Sequence, residues 1–143
     1  MNHKQKLQIK KYMQQYFFIK VNSKYVRIDL CDIVYIESLR NYVKIVTGKQ
    51  QYMVLNTMKR MEELLPAGLF CRVHRSYIVA IDKVVSFDNN MVYLSTEQIP
   101  IGDQYKGSLE QKVTILRNAE RSADQIPATG FRVPVSPQLV NDN

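Results

Sequence analysis

Residues 70–81 read FCRVHRSYIVAI and restrict the fold more than any other stretch, because three adjacent polar groups, His74, Arg75 and Ser76, interrupt two apolar runs. Both flanks are anchored and the middle is exposed. Phe70, Val73, Tyr77, Ile78 and Ile81 are all suited to a core, so the backbone at Arg75 is held rigidly while its guanidinium points outward. A fixed planar donor fork suits a guanine edge or a phosphate. The alternative reading makes Arg75 an ordinary surface arginine and His74 a hydrogen-bonded, partly buried histidine.

Around this stretch, short strands alternate with turns. Residues 16–21 are aromatic and β-branched, Asn22-Ser23-Lys24 makes a turn, and in residues 25–30 Tyr25, Arg27 and Asp29 alternate with Val26, Ile28 and Leu30. That is the pattern of a β-hairpin with one buried face. Residues 33–37 give a third strand, Leu39-Arg40-Asn41 a loop, residues 42–47 a fourth strand and, past Gly48-Lys49, residues 51–55 a fifth. The period then changes. Asn56 is a suitable N-cap for a helix over residues 57–65, with Met58, Met61, Leu64 and Leu65 three or four apart and Pro66 and Gly68 as its stop. Residues 70–73 return to strand, Ser76 is placed to cap one short helical turn, residues 83–87 pair with 91–94, and residues 98–101 form a last strand. A C-terminal helix over residues 104–117 carries Tyr105, Leu109, Val113 and Leu116 on one face. The predicted fold is mainly β: several small antiparallel sheets, one middle helix, one short helical turn and a C-terminal helix.

A chain of 143 residues is one domain's worth and has no need of a cofactor or disulfide for stability. Its apolar runs are far too short to span a membrane and the first fifteen residues lack a signal-peptide pattern, so a cytoplasmic protein is expected. Cys31 and Cys71 stand outside any CxxC or Cys/His cluster, which makes them inert thiols and indicates no metal. Lys4, Lys6, Lys10 and Lys11 crowd residues 1–15, read as a flexible basic N-terminal arm. Pro127, Pro134 and Pro137 rule out a long helix in residues 119–143, read as a disordered tail, and the domain is expected over residues 16–118. The net charge of +7 favours a polyanionic partner over an acidic-site enzyme. Enzyme chemistry finds no nucleophile, metal or phosphate-loop motif, and His74 is the only imidazole outside the arm.

The order of segments carries a resemblance. IVYIES followed closely by NYVKI, a helix ending in EELLP, then FCRVHRSYIVAIDKV and finally IPIGDQY resemble the LytTR DNA-binding domain of bacterial transcription regulators. The resemblance implies a mostly β domain of small antiparallel sheets that binds double-stranded DNA through three loops rather than a recognition helix. It places Arg40, Asn41 and Tyr42 in the first loop, His74, Arg75 and Ser76 in the second, and Gln104 and Lys106 in the third. Arg40 or Arg75 would address guanine, and Asn41 adenine or a phosphate. Lys20 and Lys44 are candidate phosphate contacts, with plain solvation as the alternative.

Two departures from the family pattern stand out. Many relatives carry Ser-Arg in the third loop, whereas this chain has Gly102-Asp103, so Asp103 is read either as an unfavourable neighbour of phosphate or as the cap of the C-terminal helix. Only residues 1–15 precede the domain, where relatives often carry a receiver domain; the expectation is a stand-alone binder or one switched by a separate signalling partner. Binding as a homodimer on paired short sites is expected. The rival reading is a basic β-rich module whose loops bind protein or RNA, and the discriminating feature is whether Arg40, Asn41 and Arg75 share one face.

Overall fold

The computed structural model describes residues 2–6 and 15–119. The basic arm, apart from residues 2–6 and Gln15, and the tail beyond Ala119 lie outside the described residues. In order, the strands are β1 (Tyr16–Val21), β2 (Lys24–Asp29), β3 (Ile33–Leu39), β4 (Tyr42–Thr47), β5 (Gln51–Leu55), β6 (Phe70–His74), β7 (Tyr77–Ala80), β8 (Ser86–Phe87), β9 (Met91–Tyr93) and β10 (Gln98–Pro100), with α1 (Met58–Leu64) between β5 and β6. They form three antiparallel sheets: β1-β2, a central β5-β4-β3-β7-β6, and β10-β9-β8.

Alternation of side chains gives the central sheet two apolar faces and hence two cores. Ile36, Val43, Ile45 and Ile78 point to one face, where Phe17, Ile19 and Ile28 of the β1-β2 hairpin and Met58 and Met61 of α1 cover them. Cys71, Val73 and Val79 point to the other and meet Val92, Leu94, Ile99 and Leu109. A strict period of two would send Ile33 and Tyr35 to the same side. A shift in register between these residues, against β4, instead delivers Ile33 to the first core and Tyr35 to the second. Each such Ile or Val, taken out of water, contributes about 1.5–3 kcal/mol, so the sheet is clamped from both sides.

Several boundaries differ from the sequence expectation. Thr57, not Asn56, caps α1: its hydroxyl accepts the Arg60 N–H at 3.1 Å, while Asn56 Oδ1 accepts the Thr57 N–H one residue earlier. Ser76 caps no helix; it lies in the β6–β7 turn, and the short 3-10 turns fall at Leu30–Asp32, Ile81–Lys83 and Asp103–Tyr105. The helix expected over residues 104–117 does not form. Gly107 has φ +84°, which an α-helix does not accept, so the chain folds as successive turns closed by Ser108 N–H to Tyr105 O and Lys112 N–H to Leu109 O. Leu109 still reaches the second core, but Leu116, expected on the same face, is 98% exposed. Among the described residues no helix is long and apolar enough to cross a membrane.

Candidate nucleic-acid interface

Three connections meet at one end of the central sheet. β3 and β4 are joined by Arg40 and Asn41 alone, with Leu39 paired to Tyr42 at the last rung. Arg40 has φ 56°, the left-handed conformation that lets a two-residue hairpin follow the strand twist and that glycine usually supplies. Arg75 and Ser76 make the β6–β7 turn between His74 and Tyr77. The Ser38 N–H donates to the Ser76 carbonyl at 2.9 Å, which ties this turn to the end of β3. In the third connection the Gly102 N–H donates to the Val73 carbonyl at 2.9 Å. A Cβ on Gly102 would lie 3.3 Å from the Tyr105 ring and 3.4 Å from the His74 ring, so the close approach favours glycine there.

Arg72, which sequence patterning does not single out, links the second and third connections to α1. Its Nε donates to the His74 carbonyl at 2.9 Å, its Nη2 to the Arg75 carbonyl and its Nη1 to the Glu62 carboxylate on α1, while its Cζ sits 5.8 Å from the Tyr105 ring centre. Because Met58 and Met61 fix α1 in the core, Glu62 presents its carboxylate from a rigid support. The Arg72 side chain is 17% exposed and directed at the backbone of the turn, whereas the neighbouring Arg75 is exposed.

Between the turns opens a groove of about 420 Å³, lined by Arg40, Asn41, Leu55, Asn56, Arg72 and Arg75 among others. The side chains of Arg40, Asn41 and Arg75 are exposed and make no hydrogen bond or ion pair among the described residues. Two guanidinium groups and an amide therefore border one concave surface with their donors uncommitted.

The other expected site residues divide. Tyr42 is exposed beside the first turn and Gln104 is exposed on the 3-10 turn. His74 is half-buried: its Nδ1 accepts the Ser76 N–H at 3.0 Å and its ring lies 5.5 Å from that of Tyr77. Lys106 anchors the third connection, donating to Asn89 O at 3.0 Å and Asn90 Oδ1 at 2.7 Å. Asp103 caps nothing, contrary to one reading of the sequence, because it begins the 3-10 turn and its carboxylate stands in solvent 4.0 Å from Lys106. Lys20 lies on the separate β1-β2 hairpin with its ammonium 5.8 Å from the Tyr25 ring centre.

Lys44 is engaged on the sheet face, 3.0 Å from Glu37 Oε1, while the Tyr77 hydroxyl donates to Glu37 Oε2 at 3.2 Å. The hydrogen bond to Glu37 raises the Lys44 pKa, and burial first, then the Glu37 charge, raises that of Tyr77. Both groups hold their protons more tightly folded than unfolded. Their stabilisation is complete below the ordinary values of roughly pH 10 and is lost as the pH climbs through the folded ones. Urea unfolding should give a lower stability at pH 11 than at pH 8, and Glu37→Gln should shrink that difference; an unchanged difference would contradict this account of the cluster.

A family model, the LytTr DNA-binding domain, matches residues 23–114, a span that includes all three connections. The chain belongs to the LytTr DNA-binding domain family. It is 24% identical over 103 residues to the sensory transduction protein LytT of Bacillus anthracis, covering 68% of this chain and 42% of that one. It is 26% identical over 103 residues to LytT of Bacillus subtilis, covering 68% and 43%. The chain thus spans less than half the length of these curated relatives. Among solved structures, the LytTr DNA-binding domain of a protein described as a methyl-accepting/DNA response regulator from Bacillus cereus shares the fold. The TM-score is 0.56 at 17% identity, over 64% of this chain and 90% of that one. The LytTr domain here is a DNA-binding domain, and its three connections lie at one end of its central sheet.

Proposed function

We propose that this LytTr domain is a sequence-specific transcription regulator that reads bases of duplex DNA with Arg40, Asn41 and Arg75. The observation that carries the reading is their shared groove: two turns distant in sequence, joined by the Ser38–Ser76 hydrogen bond, direct uncommitted donors to one surface. Arg40 and Arg75 have the fork that recognises guanine O6 and N7, and Asn41 the amide that recognises adenine or a phosphate. Tyr42, His74, Ser76 and Gln104 flank these contacts. Lys44 and Lys106 would have to exchange Glu37 or Asn90 for phosphate, which ranks them below the groove residues. In the same proposal the domain spans residues 16–118 with a basic arm and a tail appended, acts in the cytoplasm without catalysis, binds paired short sites as two copies and is switched by a separate signalling partner. Selection of duplexes from a random pool tests it: a short enriched motif containing guanine is expected, and recovery of no enriched sequence would overturn base reading.

Arg40 adds a check with opposite signs. Glycine relieves a left-handed backbone at low steric cost, so Arg40→Gly should raise unfolding stability by about 1 kcal/mol while weakening binding to the selected duplex. A variant that is both more stable and equally tight in binding would remove Arg40 from the site.

A further inference from the structure

The groove has one wall unlike the others. Leu55, the last residue of β5, pairs with Tyr42 beside the Arg40–Asn41 turn and borders the same groove as Arg40, Asn41 and Arg75. Val54 packs on the first core, so strand alternation points Leu55 to the opposite face of the sheet, where it is 68% exposed. A large apolar side chain is thus held on a strand, in the open, next to three polar groups with free donors. Its position on a strand end rather than on a loose loop fixes it relative to the first turn.

Of the features that base pairs display in the major groove, only the C5-methyl of thymine is apolar. Resting on the base-reading proposal above, we infer that Leu55 is a specificity-determining residue that packs on a thymine methyl adjacent to the base addressed from the Arg40–Asn41 turn. Burying that methyl against Leu55 expels water from both, which distinguishes thymine from cytosine at the same position without any hydrogen bond. Leu55 lacks donors and acceptors, so its contribution is insensitive to salt, unlike that of a lysine or arginine on phosphate.

The test replaces each thymine of the selected duplex by uracil, which deletes the methyl and leaves Watson–Crick pairing intact. With the full chain, uracil at one position should weaken binding about fourfold, the worth of one buried methyl-sized group. Leu55→Ala should bind the thymine and uracil duplexes alike, and Leu55→Met, which keeps apolar reach, should retain most of the difference. Thermal melting of Leu55→Ala should match the unaltered protein, since so exposed a side chain contributes little to the core. An enriched duplex on which no uracil is felt, or a uracil penalty unchanged in Leu55→Ala, overturns the Leu55 assignment alone. Self-association of the chain that Leu55→Ala abolishes, with thymine and uracil bound equally by both proteins, would give this leucine to an interface between copies. Failure to enrich any duplex would overturn the base-reading proposal and this inference with it.

Discussion

Replacing Arg72 by alanine is expected to destabilise the domain by about 2 kcal/mol, the worth of the charge-assisted hydrogen bonds it makes to two carbonyls and a carboxylate. For a domain of this size that is a fall in melting temperature of roughly 10 °C, readable by thermal scanning. Glu62 is 47% exposed, so water takes over its solvation and keeps the loss from being larger. The second expected effect is on binding. Without Arg72 the His74 and Arg75 carbonyls lose the donors that fix the turn, so affinity for the selected duplex should drop about as far as when Arg75 itself is removed, even at temperatures where the fold is intact. Arg72→Lys should not restore it, because one ammonium cannot reach three acceptors in the plane that a guanidinium spans. Full rescue by lysine, or normal affinity in the alanine variant, would show that the turn holds its shape without Arg72.

Arg75→Ala should do the reverse. Only the backbone carbonyl of Arg75 takes part in the network, and its side chain stands in solvent, so the melting temperature should stay within about 2 °C of the unaltered protein. Its affinity for the selected duplex should fall by roughly 1–3 kcal/mol with little change on a scrambled one, the behaviour of a base reader. A phosphate contact would instead weaken both duplexes equally and reduce the salt slope by about one counter-ion. Lys20→Ala, on a different sheet, is the comparison that should show at most that second pattern.

The contrast between Arg72 and Arg75 marks how far the sequence could be read. Strands such as β4 and β5 were legible because apolar residues recur along them and Gly48-Lys49 punctuates the pair. Exposure of Arg75 was legible too, since apolar residues brace it on both sides. That Arg72 serves the turn was not: its acceptors are carbonyls that exist as a set only after the turn forms, and a carboxylate ten residues away on α1. Lys44 was expected as a phosphate contact and Lys106 as part of the third loop, and their protein partners were hidden for the same reason, Glu37 lying across the strand pair and Asn90 on a distant turn. The apolar spacing of Tyr105, Leu109 and Val113 suggested a helix, but a single left-handed residue, Gly107, outweighs a period that turns can also satisfy. Nor could a period of two reveal the irregularity after Ile33 that divides β3 between two cores.

Base reading by Arg75 is tested most directly by repeating the duplex selection with Arg75→Ala in parallel with the unaltered chain. If Arg75 reads a base from the shared groove, the two enriched motifs should coincide except at one position, where guanine gives way to no preference. Identical motifs from the two proteins would contradict it, because Arg75 would then carry no sequence information.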